Sequence, residues 1–154
     1  RPSFAGSGGN QLGVSNLKII SQIKEDWSQR PWWMNLIFYF CIYMTVIYMP
    51  FDIFYKPVEL DEEVWFGITL HGWYAKLTEP LHWIIYGLGA YGFWKMKSWM
   101  WPWASVYLLQ VVIAMFFWNQ LDPRGGGLVP GLISAAIFCV PLVAMVMARE
   151  KFPH

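Results

Sequence analysis

Thr78–Lys97 reads TEPLHWIIYGLGAYGFWKMK. As a helix, its segment Glu79–Met96 rises about 27 Å at 1.5 Å per residue, close to the thickness of a bilayer's hydrocarbon core. The stretch opens on Thr-Glu-Pro, places His82 in its first turn and carries Gly87, Gly89 and Gly92 in its body. Among the long apolar stretches it alone combines ionisable groups with small residues. Taken as a membrane crossing, it makes the chain an all-α integral membrane protein with four transmembrane helices.

The flanking sequence agrees. Charged residues make up 14% of the 154 residues and hydrophobic residues 56%, against roughly 25% charged in an ordinary soluble domain. The mean hydropathy is +0.35. Three further apolar stretches have crossing length: 32–50, 99–121 and 128–148. Trp32-Trp33 and Trp99, Trp101 and Trp103 stand at span ends, where amphipathic rings favour the headgroup layer. Pro102 falls in a first turn, whose N–H groups have no helical partner anyway. Pro141 falls inside its span and predicts a kink.

Residues 1–31 form a separate N-terminal segment. Residues 1–13, RPSFAGSGGNQLG, are rich in Gly and Ser and read as loose or extended. In VSNLKIISQIKEDWSQR, Leu17, Ile20, Ile23 and Trp27 recur at helical spacing, with Lys18, Lys24, Glu25 and Arg30 on the other face. That pattern suits an amphipathic helix at a membrane interface, or one packed on protein.

Charge orients the spans. With the N-terminus in the cytoplasm, Arg1, Lys18, Lys24, Arg30, Lys95, Lys97, Arg149 and Lys151 lie inside, 8 of the 11 basic residues. Lys56, Lys76 and Arg124 lie outside, together with 7 of the 10 acids: Asp52, Glu59, Asp61, Glu62, Glu63, Glu79 and Asp122. The positive-inside rule then places both termini in the cytoplasm, and a bacterial inner membrane is the expected location. Between the first two spans, residues 51–77 read as a helix on the outer interface, with Asp61 as its cap and Val64, Trp65, Ile68, Trp73 and Leu77 as its apolar surface. Residues 119–127 read as a turn.

Few polar groups could carry chemistry. Glu79 and His82, three residues apart, share a helix face, and His71 lies in the outer stretch, so His71, Glu79 and His82 are the candidate metal ligands. The alternative is ordinary: a carboxylate favouring the positive end of a helix, and interfacial histidines with hydrogen-bond partners. His82, Tyr86 and Gly89 are the candidate cofactor contacts, because Gly87, Gly89, Ala90 and Gly92 narrow the helix. The narrow face admits either a neighbouring helix or a flat ligand such as a porphyrin, quinone, sterol or pigment. Cys41 and Cys139 both fall inside spans, where cysteine behaves as a small hydrophobe. A net charge of +1 without a basic cluster gives no indication of nucleic acid.

The segment Gly72–Pro80, GWYAKLTEP, with Trp83, Tyr86, Gly89 and Trp94 after it, resembles the tryptophan-rich sensory protein (translocator) family locally. Trp73, Tyr74, Leu77 and Pro80 match that family's loop motif. The resemblance implies a ligand of the porphyrin or sterol kind. The chain departs from the family's five-helix pattern in its four spans and in the long acidic segment before the loop. It also lacks the tryptophan and prolines that usually follow the motif.

With no catalytic motif in the sequence, the expected function is a non-catalytic accessory subunit of a larger membrane complex, energy-transducing or oxidative in kind. Its partners would be other membrane subunits and lipids, including bound lipid. The alternatives are a small-molecule binder and a metal-dependent enzyme subunit using His71, Glu79 and His82.

Overall fold

The computed structural model describes residues 8–152, with side-chain environments from residue 15 onward. The expectation for residues 1–7 lies outside the described residues. The chain is mostly helical and divides into two compact units, Arg1–Leu36 and Ile37–His154.

In the first unit, α1 (Gly8–Ser28) begins inside the stretch expected to be loose. Leu17, Ile20, Ile23 and Trp27 form the expected apolar stripe, and it stays exposed. After α1 the chain turns at Arg30. The last carbonyls of an α-helix lack intrahelical donors, and side chains supply them here. Arg30 Nη2 donates to the Asp26 carbonyl at 3.0 Å, and Asn35 Nδ2 donates to the Trp27 carbonyl at 3.0 Å. Arg30 Nε also donates to Asn35 Oδ1 at 2.9 Å, so the two buried groups hold each other in place.

The second unit holds most of a helix built in three pieces: α2 (Trp32–Tyr43), a π-helical segment (Met44–Tyr48) and α3 (Met49–Tyr55). It does not stop at Pro50 as expected. In the π segment the Met49 N–H reaches back five residues to the Met44 carbonyl. The next bond in that register would run from Pro50 to Thr45, and proline has no N–H to give. The Trp83 indole N–H fills the gap, donating to the Thr45 carbonyl at 2.8 Å.

A 3-10 turn (Val58–Leu60) leads into an antiparallel hairpin, β1 (Glu62–Trp65) and β2 (Ile68–His71). The expected outer helix is therefore a hairpin. Trp65 pairs with Ile68 across the two-residue loop Phe66-Gly67, and both loop residues have positive φ, 51° and 89°. This is the backbone of a tight hairpin turn, whose twist matches that of the strands.

Three helices follow: α4 (Trp73–Trp94), α5 (Met100–Leu121) and α6 (Leu128–Met147). α4 starts six residues earlier than the sequence suggested and contains Pro80. Its first turn is closed by the Lys76 N–H bonding to the Gly72 carbonyl at 3.0 Å. Among the described residues, three helices are long and apolar enough to cross a membrane: Trp32–Tyr55, Met100–Leu121 and Leu128–Met147. The fourth expected span, on α4, falls short because Lys76, Glu79 and His82 occupy its first turns.

α4 runs antiparallel to α3 and the π segment. Lys76 and Asp52 meet at one end, Trp83 and Gly87 face Thr45, and Gly89 faces Cys41. α5 and α6 pack along their whole lengths. A Cβ on Gly131 would lie 2.7 Å from Gln120 Nε2, and at the far end the Trp101 indole donates to the Met145 carbonyl at 3.0 Å.

Candidate functional site

The hairpin places a polar cluster at one end of these helices. Period-two alternation in β1 sends Glu63 and Trp65 to one face and Glu62 to the other. Gly67 lets the hairpin tip press against α5. A Cβ there would lie 2.5 Å from Phe117 Cβ and 2.8 Å from the Trp118 nitrogen. Thr69 Oγ1 donates to Asp122 Oδ2 at 2.6 Å, and Arg124 joins Asp122 to Glu62 at 2.9 and 2.7 Å. Hydrogen bonds from Arg124 and then Thr69 hold the Asp122 carboxyl well below the usual carboxylate range.

On α4, Lys76, Glu79 and His82 recur every three residues and present one face to β1 and α3. Lys76 sits between four oxygens. Its ammonium pairs with Asp61 Oδ2 at 3.2 Å and Glu79 Oε2 at 3.3 Å, and it donates to the Asp52 carbonyl and to the Lys56 carbonyl at 3.1 Å. It therefore caps the negative end of α3 as well as pairing two acids. Lys56 pairs with Asp52 at 2.9 Å and with Asp61 at 2.8 Å. Asp52, Asp61 and Glu79 are 3%, 1% and 0% exposed, so these pairs are shielded from water. Burial is the largest influence on Asp61 and pushes its carboxyl up. The bonds it makes, Lys56 foremost, outweigh burial and hold it below its ordinary value. Lys56 is likewise opposed first by burial, but its bonds to Asp61 and Asp52 raise it above the usual lysine range.

Asp52, Glu63 and Glu79 come from three different elements, yet one oxygen of each lies within 4.8 Å of the others. Glu63 also accepts from, or pairs with, His82 Nδ1 at 2.6 Å. The His82 ring stacks on the Trp65 indole at 4.0 Å and 6°. Beyond it lie Tyr86, 6.1 Å away between ring centres, and Tyr107, whose hydroxyl is 3.3 Å from that of Tyr86.

The residues expected to act together are divided by this arrangement. His71 is on β2, largely exposed and 3.4 Å from Glu62 Oε1 on the outer face of the hairpin. It does not join Glu79 and His82. Those two share the α4 face and are linked through Glu63. Tyr86 stays beside His82, but Gly89 faces α2: a Cβ there would lie 3.1 Å from Cys41 Sγ. Gly87 likewise faces Thr45, and Gly92 receives Met100 and Trp99. The glycine face is thus occupied by protein. A cleft between α5 and α6, lined by Ser105, Leu109, Leu142 and Val146, is apolar and has no member of the polar cluster in its wall.

Sequence reasoning missed Asp61, Glu63, Lys56 and Lys76 as partners. The available signal was Gly67 in the short gap between the β-prone Val64-Trp65 and Ile68-Thr69, a spacing that suits a tight hairpin. Comparison with known proteins finds no matching family model, no matching curated protein and no matching solved structure.

Proposed function

We propose that the chain is a four-crossing integral membrane protein that serves as a non-catalytic subunit of a larger membrane complex. The observation that carries this reading is a stripe along α6: Val129, Leu132, Ala136, Val140, Val143 and Met147 recur at helical spacing and are all exposed. These side chains are apolar, and such a stripe can pack against a second membrane helix by van der Waals contact. Only 11% of the α6 window and 17% of the α5 window is buried within the chain itself.

The packing supports a reading with four crossings. α4 lies antiparallel to the helix that ends at Tyr55, and its first turns share the hairpin with the far end of α5. If those neighbours cross a bilayer, α4 crosses with them. The three cations on the hairpin side, Lys56, Lys76 and Arg124, are each paired with carboxylates. Eight of the 11 basic residues lie on the side of the termini, which by the positive-inside rule supports both termini in the cytoplasm.

The test is extraction from native membranes in a gentle detergent, followed by mass measurement of the eluted particle. The chain should travel in a complex much heavier than its own 18.0 kDa, and Val140→Trp on the stripe should release it. A monodisperse single chain carrying only detergent and lipid would refute the proposal.

A further inference from the structure

We propose that Asp52, Glu63 and Glu79 form a binding site for a Ca²⁺-sized hard divalent cation. Three independent observations converge on it.

The first is geometry. The three carboxylates present one oxygen each, all within 4.8 Å of one another. Ca²⁺–oxygen bonds measure about 2.3–2.6 Å, so opposite ligands on one ion stand roughly 4.6–5.2 Å apart. A spread of no more than 4.8 Å therefore lets the three oxygens meet a single Ca²⁺-sized ion. An all-oxygen donor set also selects hard cations over zinc or copper.

The second is an unanswered side chain. Glu79 is 0% exposed, and neither of its oxygens accepts a hydrogen bond among the described residues. Lys76 approaches only Oε2, at 3.3 Å, which leaves Oε1 without a positive partner inside the cluster. A buried carboxylate oxygen in that condition is strongly disfavoured unless it takes up a proton or meets a cation.

The third is charge. Among the described residues, Asp52, Asp61, Glu63 and Glu79 meet two lysines, Lys56 and Lys76, and the ring of His82. Counted as ionised, the four carboxylates exceed the two lysines by two charges, which one divalent cation would balance. His82 then has a clear role as a positioning residue: its bond to Glu63 Oε2 fixes that carboxylate, and Trp65 fixes the ring. Partners of this kind orient metal ligands in many sites.

The experiment uses the full chain in detergent after treatment with a chelator. CaCl₂ is titrated calorimetrically, and thermal unfolding is followed with and without it. Wild type should bind one Ca²⁺ per chain with a dissociation constant of about 10⁻³ M or tighter, and its unfolding temperature should rise with Ca²⁺. Glu79→Gln and Asp52→Asn should each weaken binding more than tenfold and abolish that rise, while His71→Ala should bind as wild type does. Absence of saturable Ca²⁺ binding to the folded wild type overturns the proposal, whatever the variants do. So does unchanged binding in Glu79→Gln and Asp52→Asn, because the ion would then sit elsewhere.

Discussion

Replacing Lys76 with Met is the most informative perturbation of the cluster. Methionine keeps the length and apolar stem of lysine and removes only the ammonium. The Lys76 side chain is 13% exposed, and its two acidic partners, Asp61 and Glu79, are fully buried. Removing one member of a buried ion pair typically costs about 3–5 kcal/mol, because the charge left behind is neither solvated nor balanced. Lys76 also donates to the Asp52 and Lys56 carbonyls at the end of α3, so the upper half of that range is expected. For a chain of this size the loss corresponds to a fall in unfolding temperature on the order of 10 °C. Thermal unfolding of purified protein in detergent, followed by tryptophan fluorescence, measures it. Lys97→Met, on an exposed position, is the control and should stay within about 0.5 kcal/mol of wild type. Adding Glu79→Gln to Lys76→Met removes the stranded charge and should return about 1–3 kcal/mol. The reasoning is refuted if Lys76→Met matches the Lys97 control, or if the double variant is no more stable than Lys76→Met alone.

Three further outcomes are expected. Because Asp61 is held below its ordinary value, its pairing contributes fully above the unfolded-state value of about 4 and is lost as pH falls through the lower folded-state value. Unfolding measured at stepwise lower pH should therefore show a stability loss below about pH 4 that is smaller in Asp61→Asn. Gly67→Ala should cost roughly 2 kcal/mol or more, since it combines a strained positive φ with a clash against the α5 backbone; stability equal to wild type in a denaturant titration would contradict the seating of the hairpin. In a chain with Cys41 and Cys139 replaced by Ser, single cysteines at Glu59 and Ser98 should react with a membrane-impermeant thiol reagent from opposite sides of the membrane. Labelling from the same side would mean that α4 does not cross.

Much of the helical architecture was legible because it is written locally. The spans starting at Trp32, Trp99 and Leu128 are long apolar runs, and hydropathy reports such runs directly. Their ends were less legible. Helix one continues past Pro50 because a tryptophan 33 positions later supplies the donor that proline lacks, and no local window contains that fact. The hairpin was missed for a related reason. Trp65, Ile68 and the acids around them suit a surface helix when read singly, and only strand pairing puts Glu63 against His82. The candidate site was half visible: Glu79 and His82 stand out by helical spacing, whereas Asp52 and Glu63 reach them only through tertiary contact. His71 stood out as a residue type, yet it lies on the other face of its strand.

The π segment Met44–Tyr48 sets the rotational phase of everything after it. An α-helix turns about 100° per residue, and a π turn absorbs one extra residue without breaking the helix. Residues before the segment and residues after it can therefore face α4 together: Cys41 against Gly89, Asp52 against Lys76. A version of the chain one residue shorter here would form a more regular helix. It would also swing Asp52 and Lys56 about a quarter-turn away from the acids and lysine they now meet. The irregular turn is thus an angular setting, in which one surplus residue in the Trp32–Tyr55 helix determines whether the carboxylate at its end can meet the others.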